Sequence, residues 1–560
     1  MNKVFILIAI FILGSILRLY DLGNNPPSVY WDEVSIGYNA YSILKTGADE
    51  YGNFMPDSFR SYDDYKPPLY IYLTVPSIAV FGLNEFAIRL PSAVFGALTI
   101  FITYFLVKEL FKNNNFYLKV KNYKIDVPLV ASLLIAISPW HLQFSRPAFE
   151  ANVGLFFILS GLLFFFKGLK NGKYFVISAL MFSLSLYAYH SFRVVTPLLI
   201  IASSLLFFTK DLRGKVTTYI FYLILFVSLL PIELSLLSKS GAGTRLSQVT
   251  IFNIPHFLDR STGYIQHDLL RGDLIGSLLH NRRFVFIFEI IKGYFDHFNL
   301  NFLFITGDSS RHHHALGMGM LYIFELPTLF IGLYQLLKKI NRQILLLFIM
   351  LVIAPLPSSV TTGTPHAVRA ILMLFPLVAI SAYGTIFILN WILSLRDSIA
   401  KLLILLTTTV IVSTSVFYYF HQYHIHTPVE YGDFWQYGYK DLYQKLKKYE
   451  KKYDSIIISF ENDHPDTYYL YYNKINPKSY QELQKIKPVK ISRFESRIGK
   501  YHFKKIDWSK DKLIPNVLVI ADPKEVPSDL SDGIVIDEVK LLNGKVAYQL
   551  IEVKNVIKEN

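Results

Sequence analysis

The chain has no cysteine among its 560 residues. Disulfides, thiolate metal centres and cysteine nucleophiles are therefore excluded, while the compartment stays open. Charge is scarce too, since Asp, Glu, Lys and Arg make up only 18% of the sequence. There is no glycine-rich nucleotide loop placed between a strand and a helix, no convincing internal repeat and no low-complexity tract. In their place stand 52% hydrophobic and 16% aromatic residues, gathered in long apolar runs up to about residue 420. Length alone would suggest several soluble domains. These runs exclude that and point to a polytopic membrane protein.

Apolar segments lie at roughly 4–20, 86–107, 126–139, 148–168, 174–190, 194–209, 217–237, 318–337, 343–358, 368–395 and 400–419, about eleven spans. The first is shaped like a signal peptide, but it lacks a small-residue cleavage site and further spans follow, so it reads as an uncleaved helix. The connections "KELFKNNNFYLKVKNYK", "KGLKNGK", "KDLRGK", "KKINR" and "LRDSIAK" are all basic, and each follows an even-numbered span. A cytoplasmic N-terminus puts all five inside. The formal net charge of +14 is thereby explained by topology, not by nucleic acid. The same orientation puts the loops 21–85 and 238–317, "SPWHLQFSRPAFE" and "PSSVTTGTPHAVRA" outside the plasma membrane, with the tail. "PPLYIYLTVPSIAVFGL" is short and marked by proline, which suits an interfacial helix. We expect a transmembrane domain over 1–420. Over 421–560 we expect a small extracytoplasmic α/β domain, from the β-type runs "SIIISF", "NVLVIA", "GIVIDEV" and "VAYQLIEV".

Chemistry gathers in the first outer loop. Asp32 and Glu33 open "EVSIGYNAYSIL", which is helical in pattern and ends at Gly47. Asp32 reads either as a helix N-cap or as a catalytic carboxylate. Lys66, in "YDDYKPPLY", reads as a snorkelling interface lysine or as an anion ligand, and Arg89, at the mouth of the second span, has the same two readings. Further along, "RHHHALG" (Arg311 to His314) reads as a polar loop or, histidine being a common ligand, as a metal site. His141 and Arg146, and His366 with Arg369, stand at outer helix ends, where they line a lipid-phosphate pocket or anchor the interface.

Taken in order, "WDE", "NAYSILKTG", "DEYGNFMP", "KPPLY", "FGLNEFAIRLPSAVFG", "SPWHLQFSRPAFEANVGLFF", "LYAYHSFRVVTPL", "TGDSSRHHHALGMGMLYIFELP" and "TPHAVRA" resemble membrane glycosyltransferases of the GT-C fold. The branch is that of protein O-mannosyltransferases and lipid A aminoarabinose transferases, and the resemblance covers roughly 1–420. It implies a polyprenyl-phosphate sugar donor and transfer on the outer side of the membrane. It also implies Asp32 as catalytic base with Glu33 as the second acid, and Lys66 and Arg89 as ligands of the donor phosphate. Tyr65, where the aminoarabinose pattern has an acid, argues against aminoarabinose as the sugar.

These residue types suit the reaction. A carboxylate takes the acceptor's proton, and cations offset the charge growing on a departing phosphate. The reading is an inverting glycosyltransferase that works with membrane lipid and an acceptor protein, glycan or lipid. No cofactor is assigned, and a divalent metal is left open. The rival reading is a transporter or flippase of lipid-linked saccharides. It calls for related halves and mid-membrane charge, whereas the notable charges here crowd the outer loops.

Overall fold

The structure, a computed structural model, describes residues 3–62, 64–112, 116–120, 123–237, 250–253, 255–486 and 489–554. Parts of the expected outer loop 238–317 and of the first basic connection therefore lie outside the described residues. The chain divides into two compact units. The first comprises Met1–Tyr20, Asp64–Leu69 and Ser92–His421; the second comprises Asp21–Asp63, Tyr70–Pro91 and Gln422–Asn560.

Each of the eleven apolar segments contains a helix, although 318–337 is helical only from Glu325. Among the described residues six helices are long and apolar enough to cross a membrane: Glu85–Leu110, Glu150–Lys170, Val216–Leu234, Arg342–Ser359, Ile371–Ser394 and Ser398–Glu430. Val127–Ile137 and Pro139–Ser145 make a seventh if they are one span, bent by 55°. The bend falls where Pro139 starts a new helix under the Ser138 hydroxyl cap. The other four, Lys3–Leu19, Tyr174–Leu186, Phe192–Phe207 and Glu325–Leu337, have 13 to 17 residues, fewer than the ~20 an upright span needs. The eleven expected segments are thus present as helices, but only these six or seven reach spanning length. The expected interfacial segment is the helix Leu69–Phe81, with Pro76 inside it.

Side chains of the first unit fit a lipid solvent. Ser398–His421 exposes Leu402, Leu403, Leu406, Val410, Ile411 and Phe417, a stripe too extensive for water and natural in hydrocarbon. Inward, Glu325–Leu337 and Leu374–Ser394 touch backbone to backbone. A Cβ on Gly332 would fall 2.1 Å from the Ile380 carbonyl oxygen, and one on Gly384 would fall 1.8 Å from that of Thr328. Only glycine permits this approach, the usual way of closing a helix pair where no hydrophobic effect assists.

In the second unit, residues 455–553 form a seven-stranded mixed sheet. Its spatial order is Gly533–Lys540, Val546–Val553, Val517–Ala521, Ser455–Ser459, Tyr501–Lys504, Glu495–Ile498, Lys490–Ser492. Ser455–Ser459 runs parallel to both neighbours, and every other pairing is antiparallel. The central strands Ser455–Ser459 and Val517–Ala521 are almost wholly buried, as covered parallel strands must be. The helix Trp31–Thr46 packs on this unit's helices. A Cβ on Gly37 would meet Ile88 on one side and Tyr471 on the other, at 2.9 and 3.0 Å. Gln481 clamps the helix's far end, its Nε2 donating to Ser42 Oγ, Thr46 Oγ1 and the Asp49 carbonyl at 3.0, 3.0 and 2.7 Å.

Candidate active site

Trp31–Thr46 begins behind Tyr30, its N-cap residue, and closes on Gly47 in the left-handed region, φ 70°. Asp32 is therefore not the cap but lies inside the first turn. The capping contact comes from Glu33, whose Oε2 accepts from the Tyr30 N–H at 3.3 Å. Successive helical residues diverge by about 100°, and the two acids divide accordingly. Glu33 is completely buried, while Asp32 is half-buried.

Glu33 and Arg89 form a closed pair. Arg89 Nε donates to Glu33 Oε1 at 2.9 Å and Nη2 to Oε2 at 3.0 Å. Nη1 donates to the carbonyls of Leu22 and Pro26 at 3.1 and 2.9 Å, and Nη2 also to that of Ser28 at 2.5 Å. All five guanidinium N–H groups are engaged, and both side chains are 0% exposed. Arg89 thus has no donor left for a phosphate. The structure gives it another task, tying residues 22–28 to the helix, and it gives Glu33 the matching one. The expectations of a phosphate ligand and a second catalytic acid are corrected accordingly, because neither side chain reaches solvent.

The surroundings of Asp32 are aromatic. Trp31 meets Phe434 edge-on at 6.5 Å, and the Tyr62 hydroxyl donates to the Trp31 carbonyl at 2.7 Å. Tyr62 in turn stacks on His464, with ring centres 3.7 Å apart. Burial, reinforced by the charge of Asp32, holds the Tyr62 phenol far above its ordinary range, so it acts as a hydrogen-bond donor at any working pH. Nearby in sequence, burial pushes the Glu50 carboxyl up to about 7, against the pull of Lys490 and the Asn39 amide.

In the first unit Lys66, at the end of the strand Asp64–Lys66, is buried, its Nζ 3.7 Å from Oε1 of Glu150. That is an ion pair longer than a tight charge-assisted hydrogen bond, roughly 2.7–2.9 Å. Glu150 opens the helix Glu150–Lys170, and an acid heading an apolar run is the signal that could have singled it out. His141 Nδ1 accepts from Arg18 Nη2 at 2.6 Å, and Arg146 Nη1 donates to the Leu17 carbonyl at 2.8 Å; all three side chains are buried. Arg369 Nη1 donates to Thr361 Oγ1 and the Thr362 carbonyl at 2.6 and 2.9 Å, which braces its own loop.

Also in the first unit, Asp308, His313 and His366 bring three ligand atoms within 4.8 Å of one another. His313 Nδ1 lies 2.6 Å from Asp308 Oδ2, which also accepts from the Ala367 N–H at 2.8 Å. Burial disfavours the Asp308 charge, but His313 and the Ala367 N–H outweigh it and hold the carboxyl below its ordinary value. His366 is fixed from behind, its N–H donating to His297 Nε2 at 3.1 Å. One ionised carboxylate and two imidazoles make a donor set able to take a divalent cation. Of the three adjacent histidines only His313 joins it. His314 Nε2 instead lies 3.0 Å from the Asp308 carbonyl oxygen.

With this geometry stand the comparisons. The sequence model of the dolichyl-phosphate-mannose-protein mannosyltransferase family matches residues 65–236, under a third of the chain. ArnT from Cupriavidus metallidurans shares the fold. Its apo structure aligns with a TM-score of 0.51 at 11% identity, over 98% of this chain and 97% of that one. The structure bound to undecaprenyl phosphate aligns at 0.54 and 12%, with the same coverage. The chain shares the fold of this membrane protein, and over residues 65–236 it is similar to the mannosyltransferase family. AglB from Archaeoglobus fulgidus, in complex with an inhibitory peptide and a dolichol-phosphate, aligns at 0.50 and 12%, over 93% of this chain and 69% of its own. The Bacillus subtilis (strain 168) protein described as "Putative mannosyltransferase YycA" is 24% identical over 123 residues. That stretch is 22% of this chain and 16% of the relative's length.

Proposed function

We propose that this chain is an inverting glycosyltransferase of the plasma membrane, moving a sugar from a polyprenyl-phosphate donor to a hydroxyl of a protein, glycan or lipid. The observation that carries the proposal is the division of labour between the two adjacent acids. Glu33 is spent on Arg89, while Asp32 stays half-buried among aromatic rings suited to lie against a sugar. In this reading the acceptor hydroxyl attacks the anomeric carbon as its proton passes to the Asp32 carboxylate. The bond from that carbon to the phosphate oxygen breaks, and the electron pair leaves with polyprenyl phosphate. Lys66, whose Nζ lies 3.7 Å from Glu150 Oε1, offsets the charge that grows on the leaving phosphate.

A divalent cation belongs to the same reading, with Asp308, His313 and His366 as its ligands. Bound there, it would supply positive charge toward phosphate oxygens. The N-terminus is cytoplasmic and both outer loops and the tail are extracytoplasmic in this reading, which rests on the five basic connections.

The test is kinetic. On detergent-purified full chain, Asp32→Asn should leave undecaprenyl phosphate affinity near wild type. The same change should cut release of polyprenyl phosphate from a panel of polyprenyl-phosphate hexoses by roughly 10²–10⁴-fold. Lys66→Gln should weaken both. If Asp32→Asn turns over normally at wild-type Tm, the base is assigned wrongly.

A further inference from the structure

The second unit holds a cavity of about 280 Å³ whose chemistry the transfer reaction leaves unused. One wall is the helix Tyr439–Tyr449, which turns Lys440, Tyr443 and Lys447 to the same side, at spacings of three and seven residues. The lining also includes Tyr471, near the end of the helix Pro465–Tyr472, and Lys474 in the turn after it, at φ 49°. Lys440 is paired with Glu85 at 2.9 Å. Among the described residues no carboxylate lies within ion-pair distance of Lys447 or Lys474, so the rim carries two uncompensated positive charges. Tyr471, which also lines this cavity, is 2% exposed, and its hydroxyl has no hydrogen-bond partner among the described residues. A buried hydroxyl without a partner is costly unless something fills its demand.

Position supplies the second half of the argument. Leu83 and Glu85, which complete the lining, stand where the 26-residue apolar helix Glu85–Leu110 begins. That helix is long enough to cross the hydrocarbon, so its first residue marks the level of the lipid headgroups. We propose that this cavity binds the phosphate of an anionic phospholipid headgroup through Lys447, Lys474 and the Tyr471 hydroxyl, with Lys440 held back by Glu85. Such a lipid would pin the second unit at the membrane surface. The inference rests on the membrane-spanning helix and not on the reaction assigned to Asp32.

Full chain purified in maltoside detergent, titrated with phosphatidylglycerol at fixed ionic strength, tests this by Tm and by native mass spectrometry. Phosphatidylglycerol should raise Tm saturably and remain bound in the mass spectrum, whereas phosphatidylcholine should do much less. The double variant Lys447→Gln/Lys474→Gln, both side chains being exposed, should fold with the lipid-free Tm of wild type. Its phosphatidylglycerol affinity should be about 10–30-fold lower, the effect of two lysines near a charged surface. Wild-type affinity in the double variant would overturn the site. Equal protection by millimolar inorganic phosphate would overturn the lipid and leave a soluble anion as ligand. No protection by either would overturn both.

Discussion

Arg89→Ala separates a structural arginine from a phosphate-binding one. In the structure its guanidinium and the Glu33 carboxylate are both fully buried and joined by two hydrogen bonds. Removing one member of such a pair costs about 3–5 kcal/mol, because the other charge is left without compensation. The same change strands the carbonyls of Leu22, Pro26 and Ser28, at about 1 kcal/mol each. The expected loss, upwards of about 5 kcal/mol, rivals the whole stability of a typical domain, about 5–15 kcal/mol. Arg89→Ala should therefore fail to accumulate as a monodisperse species. Glu33→Gln, which keeps some hydrogen bonds but leaves the cation unpaired, should lower Tm clearly. In Glu33→Gln/Arg89→Gln both charges are gone, so the double variant should be more stable than the sum of its singles predicts, a coupling that a cycle measures directly. The assay is fluorescence-detected size exclusion and Tm in detergent, followed by undecaprenyl phosphate affinity on whatever survives. If Arg89→Ala is folded at wild-type Tm and has lost only lipid-phosphate affinity, the buried pair is not the working arrangement and the phosphate reading returns.

Two further outcomes follow from the described geometry. Full chain treated with a chelator and then supplied with Zn²⁺ or Mn²⁺ should take up about one ion per chain and gain thermal stability; Asp308→Ala should abolish both, and metal uptake unchanged in that variant would refute the assigned ligands. Glu50, buried and raised to about 7, keeps a proton that the unfolded chain has lost. Its contribution is full below about pH 4.5 and is lost as pH rises through 7, worth about 3 kcal/mol across that interval. Glu50→Gln should accordingly raise Tm at pH 8 relative to wild type and change little at pH 4.5. An equal effect at both would show that the carboxyl is not protonated in the folded chain.

How much of this was legible in the sequence depends on how far apart the partners lie. Trp31–Thr46 with its Gly47 stop could be read because pattern and cap are local, and so could the strands Ser455–Ser459, Val517–Ala521, Gly533–Lys540 and Val546–Val553, which are apolar runs. The strands Lys490–Ser492, Glu495–Ile498 and Tyr501–Lys504 were not expected. They sit toward one edge of the sheet, with charged residues at alternate positions, and their composition resembles a loop. The task of Arg89 was invisible for a different reason. Its carboxylate partner is 56 residues away and its other acceptors are carbonyls, which carry no signature in sequence. Asp308 and His366 are likewise joined only by folding, and the more conspicuous run of three histidines supplies a single member of that cluster.

The second unit is assembled from pieces separated by the whole of the first. Its helix Trp31–Thr46 is made early, whereas Tyr468, Tyr471 and Gln481, against which it rests, emerge only after the intervening residues 92–421 have been synthesised. At ribosomal speeds of about 5–20 residues per second, those 330 residues take roughly a quarter of a minute to over a minute. For that interval the half-finished loop waits at the membrane with its aromatic face bare. The carboxylate helix cannot be completed until the last part of the chain arrives. A nascent chain halted just after His421 would carry the apolar helices of the first unit while Trp31–Thr46 still lacked the helices it packs on.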